Sequence, residues 1–94
     1  MQYYTYLMAS KPGGTLYIGM TNDLVRRVWE HRNHAVDGFT KRHGIGMLVW
    51  FEVHATAEAA IKREKRLKRY KRDWKIELIE ADNPDWDDLY DRIT

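Results

Sequence analysis

The chain has 94 residues, no cysteine, and 16 Lys and Arg against 14 Asp and Glu, for a net charge of +2. That length supports one modest core, so residues 1–94 read as a single domain with an acidic C-terminal segment from about residue 82. Without cysteine, disulfides, a thiol nucleophile and a cysteine-based zinc site are excluded. No apolar run approaches membrane-spanning length, and the start, Met-Gln-Tyr-Tyr-Thr-Tyr, carries no basic leader; the expectation is a cytoplasmic protein with no membrane partner.

Residues 2–9 are rich in aromatic and β-forming side chains and end in a Lys-Pro-Gly-Gly turn, after which residues 15–19 read as a second strand, giving a β-hairpin. Thr21 is suited to cap a helix running to about His34, with Asp23 acidic in its first turn. Residues 35–46, with Gly38, Gly44 and Gly46, read as a loop. Residues 47–53 (Met-Leu-Val-Trp-Phe-Glu-Val) form a third strand, apolar enough to be central. Thr56 caps a helix over residues 57–69, and another spans residues 72–81 before Asn83-Pro84 ends it. The order ββαβαα predicts an α+β fold, a small three-stranded antiparallel sheet flanked by helices.

Charge is unevenly distributed. Positions 62–75 hold nine basic residues against Glu64 and Asp73, whereas from Glu77 onward seven acids face Arg92 alone. A solvated helix face with an acidic tail accounts for this. So does a surface that grips a polyanion, with the tail shielding it from non-specific partners. Of the four histidines, His31 and His34 could face one metal from a helix, but nothing nearby completes a closed zinc site.

Some unusual side chains converge. With a four-residue loop over residues 11–14, Ser10 faces Thr15, Met8 faces Tyr17 and Tyr6 faces Gly19. Tyr6 and Tyr17 then share a face as diagonal neighbours roughly 7 Å apart, unless a loop of odd length or a bulge reverses the parity. Packing a core is the other use for two strand tyrosines. At about 100° per residue, Leu24, Arg27, Val28, His31 and Ala35 form one stripe of the first helix and Arg26 lies nearly opposite. A guanidinium on a core-facing stripe needs a partner or a cleft, so Arg27 is either in a structural ion pair or at a site. Glu64 sits among Ala60, Ile61 and Leu67 on the apolar stripe of the later helix; it could neutralise Arg27 or hold a hard divalent cation.

Tyr4-Thr5-Tyr6, then Tyr17-Ile18-Gly19, then Arg27, His31 and the later Glu64 make a specific pattern, and the chain resembles the GIY-YIG endonucleases along nearly its whole length. It is most similar to the small, stand-alone bacterial members. The resemblance implies hydrolysis of a phosphodiester in nucleic acid, DNA in preference to RNA, with Tyr6, Tyr17, Arg27, His31 and Glu64 as the active site. It implies Mg²⁺ or Mn²⁺ on Glu64, Arg27 stabilising phosphoryl charge, and a tyrosine of depressed pKa assisting the attacking water. His31 would orient that tyrosine or relay its proton. Lys62, Lys65, Arg66, Lys68, Arg69 and Arg72 would hold the nucleic-acid backbone, with Lys41, Arg42 and Arg32 as additions. Tyr4 stands where the first motif has glycine, which leaves Tyr4 and Tyr6 as alternatives for the phenol in the site. Asn83 corresponds to an asparagine that family members often carry late in the domain. The competing readings are a non-catalytic nucleic-acid-binding module on the same scaffold and a small interaction domain with a coincidental motif.

Overall fold

The first strand is the most deeply buried part of the molecule. In a computed structural model, which describes residues 1–35 and 38–94, strand β1 (Tyr3–Ala9) is buried on both faces from Thr5 onward. Strands β2 (Leu16–Thr21) and β3 (Met47–His54) flank it antiparallel, in the order β2-β1-β3. The hairpin closes as its turn sequence dictates: Ser10 N donates to Thr15 O at 3.0 Å and Gly14 N to Lys11 O at 2.9 Å. Gly13 takes the left-handed conformation that other residues resist, with φ +70°. Tyr6 consequently faces Gly19 and Met8 faces Tyr17, as the loop length predicts.

The third strand departs from expectation, because it lies at an edge and β1 is central. It reads as central because the chain beyond residue 82 covers its free side. Leu48 N donates to Asp88 Oδ1 at 3.2 Å, Leu89 N donates to Leu48 O at 2.8 Å, and Asn83 Nδ2 donates to Val49 O at 3.1 Å. A bulge opposite Leu7 and Met8 leaves Val49 without a partner on β1. Val49 and Trp50 therefore both enter the same cluster, and Asn83 satisfies the extra carbonyl.

Helix α1 (Leu24–Arg32) is shorter than predicted and differently capped. Asp23, not Thr21, is the cap: its carboxylate accepts from Arg26 N at 3.2 Å, while Thr21 Oγ1 accepts from Asp23 N just before it. Asn33 closes the helix through Nδ2 to Trp29 O, and His34 turns left-handed with φ 53°, leaving Ala35 exposed and off the stripe. The predicted loop over residues 35–46 contains a short helix α2 (Phe39–Arg42); its positions 36 and 37 lie outside the described residues. Helix α3 (Ala57–Arg69) starts at the predicted Thr56 cap, whose hydroxyl accepts from Ala59 N at 3.1 Å. Ala60 and Leu67 are buried on it, but Ile61, placed on the same stripe by its spacing, is exposed. Helix α4 (Arg72–Asp82) and a last turn, α5 (Tyr90–Ile93), complete the chain.

The sheet therefore divides two apolar clusters. Leu7, Ile18, Trp50, Leu67, Ile79 and Trp86 pack with α3 and α4. Tyr6, Met8, Leu24, Val28, Leu48 and Leu89 pack with α1 and the C-terminal turn. The acidic tail is thus folded onto the domain rather than solvated along its length. No helix among the described residues is long and apolar enough to cross a membrane.

Candidate active site

Tyr6, Tyr17 and His31 form a three-ring cluster on the α1 side of the sheet. The ring centroids of Tyr6 and Tyr17 are 6.3 Å apart, those of Tyr6 and His31 6.2 Å, and those of Tyr17 and His31 5.2 Å. The hairpin register places the tyrosines, and α1 places His31 one turn beyond Arg27. Tyr6 is 1% exposed and its ring lies against Gly19, where an added Cβ would stand 2.6 Å from Cζ of the phenol. Gly19 is in the motif because any side chain there would occupy the position of the Tyr6 hydroxyl. Tyr6 is also the residue of the first motif that points inward, since the Tyr4 hydroxyl donates to Gln2 Oε1 instead.

Hydrogen bonds link these rings to α2, and burial governs their protonation. Tyr6 Oη lies 3.3 Å from His31 Nε2, and His31 Nδ1 lies 3.0 Å from Thr40 Oγ1. The phenol of Tyr6 is pushed up to about 12 by burial first, then by Tyr17 and the charge of Glu64, against the lowering pull of Arg27. Burial thus works against the depressed pKa that the resemblance implies for one of the two tyrosines, and Tyr6 keeps its proton at neutral pH. His31, 2% exposed, has its pKa lowered by burial and then by the nearby Arg27 charge, so it is neutral. With Tyr6 protonated, His31 neutral and the Arg27 guanidinium beside the phenol oxygen, the three groups are all satisfied when Tyr6 Oη donates to His31 Nε2. That arrangement corresponds to the tautomer with its proton on Nδ1, which donates to Thr40 Oγ1. Thr40, buried on α2, is the residue that sequence reasoning missed; an ordinary threonine in a glycine-spaced segment carries no signal until the fold brings it to His31.

Arg27 is 38% exposed at the rim of this cluster, and its Nη1 pairs with Glu30 Oε1 at 3.2 Å. Among the described residues it forms no ion pair with Glu64. Burial opposes its charge, but Tyr6, Glu30 and Tyr17 more than offset this and hold the guanidinium more firmly protonated than usual. Beside it, Thr21, Asn22, Asp23 and Arg26 line an open, polar cavity of about 580 Å³.

Glu64 is 19% exposed and paired with Lys68 Nζ at 3.5 Å. Its charge reaches Tyr6, which ties α3 electrostatically to the ring cluster. No group of three or more potential ligands occurs among the described residues, and both ring nitrogens of His31 are engaged. This donor set does not suit a closed zinc or calcium cage. It suits Mg²⁺ or Mn²⁺, which accept one carboxylate and complete their shell with water and phosphate oxygens.

Not every predicted contact residue stands free. Arg72 Nη2 donates to Gly13 O at 2.6 Å and Gly14 O at 2.7 Å, fastening α4 to the hairpin turn. Arg32 pairs with Asp88 at 2.6 Å and lies over the Tyr90 ring at 4.5 Å. Lys62, Lys65, Arg66 and Arg69 line a separate groove with Tyr70 and Trp74. Asn83 is buried, bonded to Val49 and Asp87, and joins the β3 edge rather than the ring cluster.

Comparison with known proteins gives the class: residues 2–77 match the model of the GIY-YIG catalytic domain, and the chain belongs to that nuclease family. Its relatives are UPF0213 proteins. One from Staphylococcus saprophyticus is 33% identical over 78 residues, covering 83% of this chain and 94% of the relative. Another from Haloquadratum walsbyi is 36% identical over 78 residues, covering 83% of this chain and 86% of its own length. The solution NMR structure of the UPF0213 protein BH0048 from Bacillus halodurans aligns with a TM-score of 0.59 at 26% identity, covering 95% of this chain and 94% of that one. The chain is thus similar to small stand-alone proteins built on this domain.

Proposed function

We propose that the protein is a cytoplasmic endonuclease that hydrolyses phosphodiester bonds in nucleic acid, DNA in preference to RNA. The observation that carries this reading is the convergence of Tyr6, Tyr17 and His31 in one ring cluster with Arg27 at its rim and the Glu64 charge acting on the same phenol. Glu64 would hold Mg²⁺ or Mn²⁺, which when bound supplies Lewis acidity to the phosphate. Arg27, always charged and open to solvent on one side, binds a phosphoryl oxygen and stabilises the charge that grows on it. Tyr6 acts as a positioning group: protonated, it accepts a hydrogen bond from Arg27 and donates its own to His31. Tyr17, half-buried in the same cluster, is the phenol left to hydrogen-bond and orient the attacking water. His31 fixes the Tyr6 hydroxyl from a buried, neutral ring.

The test is Glu64→Gln, which keeps side-chain volume and removes the carboxylate. Divalent-metal-dependent cleavage should disappear while nucleic-acid binding is retained or tightened, and Mn²⁺ should raise the melting temperature of the parent but not of the variant. A folded Glu64→Gln protein that cleaves at the parental rate defeats the nuclease reading. A parent that binds nucleic acid but cleaves none with either metal favours the non-catalytic binding module.

A further inference from the structure

The predicted basic stretch does not form one surface. At about 100° per residue, Lys62, Lys65, Arg66 and Arg69 point roughly 100–200° around α3 from Glu64, and together with Tyr70 and Trp74 they line a groove of about 420 Å³ between α3 and α4. Among the described residues, Lys65, Arg66 and Arg69 make no ion pair, and Lys62 has only an exposed one with Glu58 at 3.2 Å. Trp74 is 51% exposed, outside both apolar clusters, and held edge-on by Tyr70 with ring centroids 5.5 Å apart. What sets Trp74 apart is its setting: an exposed indole beside these four cations, with Lys71 Nζ also 6.0 Å from its ring centroid, puts an aromatic surface next to concentrated positive charge.

We propose that this groove is a second nucleic-acid site, separate from the Arg27–Glu64 cleft, which takes an unpaired strand by stacking one base on Trp74 while Lys62, Lys65, Arg66 and Arg69 hold its phosphates. The charge complements a polyanion. The exposed indole discriminates within that class, because the bases of an intact duplex are already stacked and offer no face to it, whereas an unpaired base does. Since the groove faces away from Glu64, the strand in it is not the segment being cut, and the substrate class is nucleic acid with an unpaired arm beside the scissile position. This rests on the nuclease reading of the Arg27–Glu64 cleft.

The experiment uses the full chain carrying Glu64→Gln, so that cleavage does not interfere, with a fluorescently labelled single-stranded oligonucleotide and a blunt duplex of the same sequence. Trp74→Ala should weaken single-strand binding about tenfold and duplex binding less than about twofold. Trp74→Tyr should restore most of the loss, and Trp29→Ala, which removes an equally exposed indole from α1, should change neither. Combined Lys65→Gln, Arg66→Gln and Arg69→Gln should reduce the salt slope of single-strand binding by about 2, at about 0.7 per phosphate contact. Equal loss on single strand and duplex, or no loss in a Trp74→Ala protein with parental melting temperature, overturns the groove assignment. Poly-glutamate binding with the same sensitivity to Trp74→Ala also overturns it, in favour of an acidic polypeptide. Failure of the Glu64→Gln protein to bind any nucleic acid would instead remove the nuclease reading beneath it.

Discussion

Gly19→Ala offers a direct test of how the motif works, because the substitution adds one methyl and strains no backbone. Its Cβ would stand 2.6 Å from Cζ of Tyr6, and ordinary contact between carbons requires roughly 1 Å more. Tyr6 is 1% exposed, so its ring cannot swing into solvent to make room. Shifting it lengthens the bond to His31 Nε2 from 3.3 Å beyond any useful geometry. Overpacking of this kind costs about 1–3 kcal/mol, and a lost hydrogen bond adds about 1 kcal/mol. For a domain of this size a loss of about 2–4 kcal/mol lowers the melting temperature by at least about 8 °C. Displacing the group that positions Arg27 should also cut the cleavage rate by about 100-fold. Thermal unfolding by circular dichroism and a metal-dependent cleavage assay read both effects. Adding Tyr6→Phe removes the clashing hydroxyl, so the double variant should be more stable than the sum of the single changes by about 1 kcal/mol. A Gly19→Ala protein that melts within about 2 °C of the parent, well short of the expected shift, and cleaves equally well would refute this role for the glycine.

Arg27→Ala should lower cleavage by several orders of magnitude with little change in substrate affinity, whereas Arg26→Ala, which loses only an exposed pair with Glu30 at 3.6 Å, should do little; equal effects in single-turnover assays would contradict this division of roles between the two arginines. Thr40→Val removes the partner of His31 Nδ1 at nearly constant volume. It should cost about 1–3 kcal/mol and slow cleavage roughly tenfold, with Thr40→Ser recovering both. The lowered pKa of His31 means that below about pH 6.5 the unfolded chain takes up a proton that the native ring resists. Stability should therefore fall as pH drops through that window, and melting curves of His31→Gln should show a flatter acid limb. At the alkaline end, Tyr6 is raised to about 12 from 10.0, so between about pH 10 and 12 the unfolded chain gives up a proton that the native phenol keeps. With the native phenol resisting ionisation, the sign is destabilising as pH rises through that window. Ultraviolet titration should find one late-ionising tyrosine, absent from Tyr6→Phe.

Local patterns carried a large part of this protein. Turn chemistry at residues 11–14 set the register of the hairpin, and with period-two alternation that was enough to put Tyr6 and Tyr17 on one face. Helical phase separated Arg27 from Arg26, and the Thr56 cap set the start of α3, because both depend on residues a few positions apart. What needed the fold depends on distant segments. Strand β3 reads as central but is an edge, since burial comes from the folded-back tail through Asp88 and Leu89, and local hydrophobicity does not say what supplies the cover. Which of Tyr6 and Tyr17 is the more buried phenol is likewise not local information; burial pushes the pKa of Tyr6 up, and its ring lies against Gly19. Thr40 carried no mark in the sequence, and the basic run looked continuous until helix geometry split it into a groove beside Trp74 and an Arg72 that pins the hairpin. Spacing determines which side chains share a face; only tertiary packing decides what covers that face, and therefore which groups keep their protons and which cations remain free.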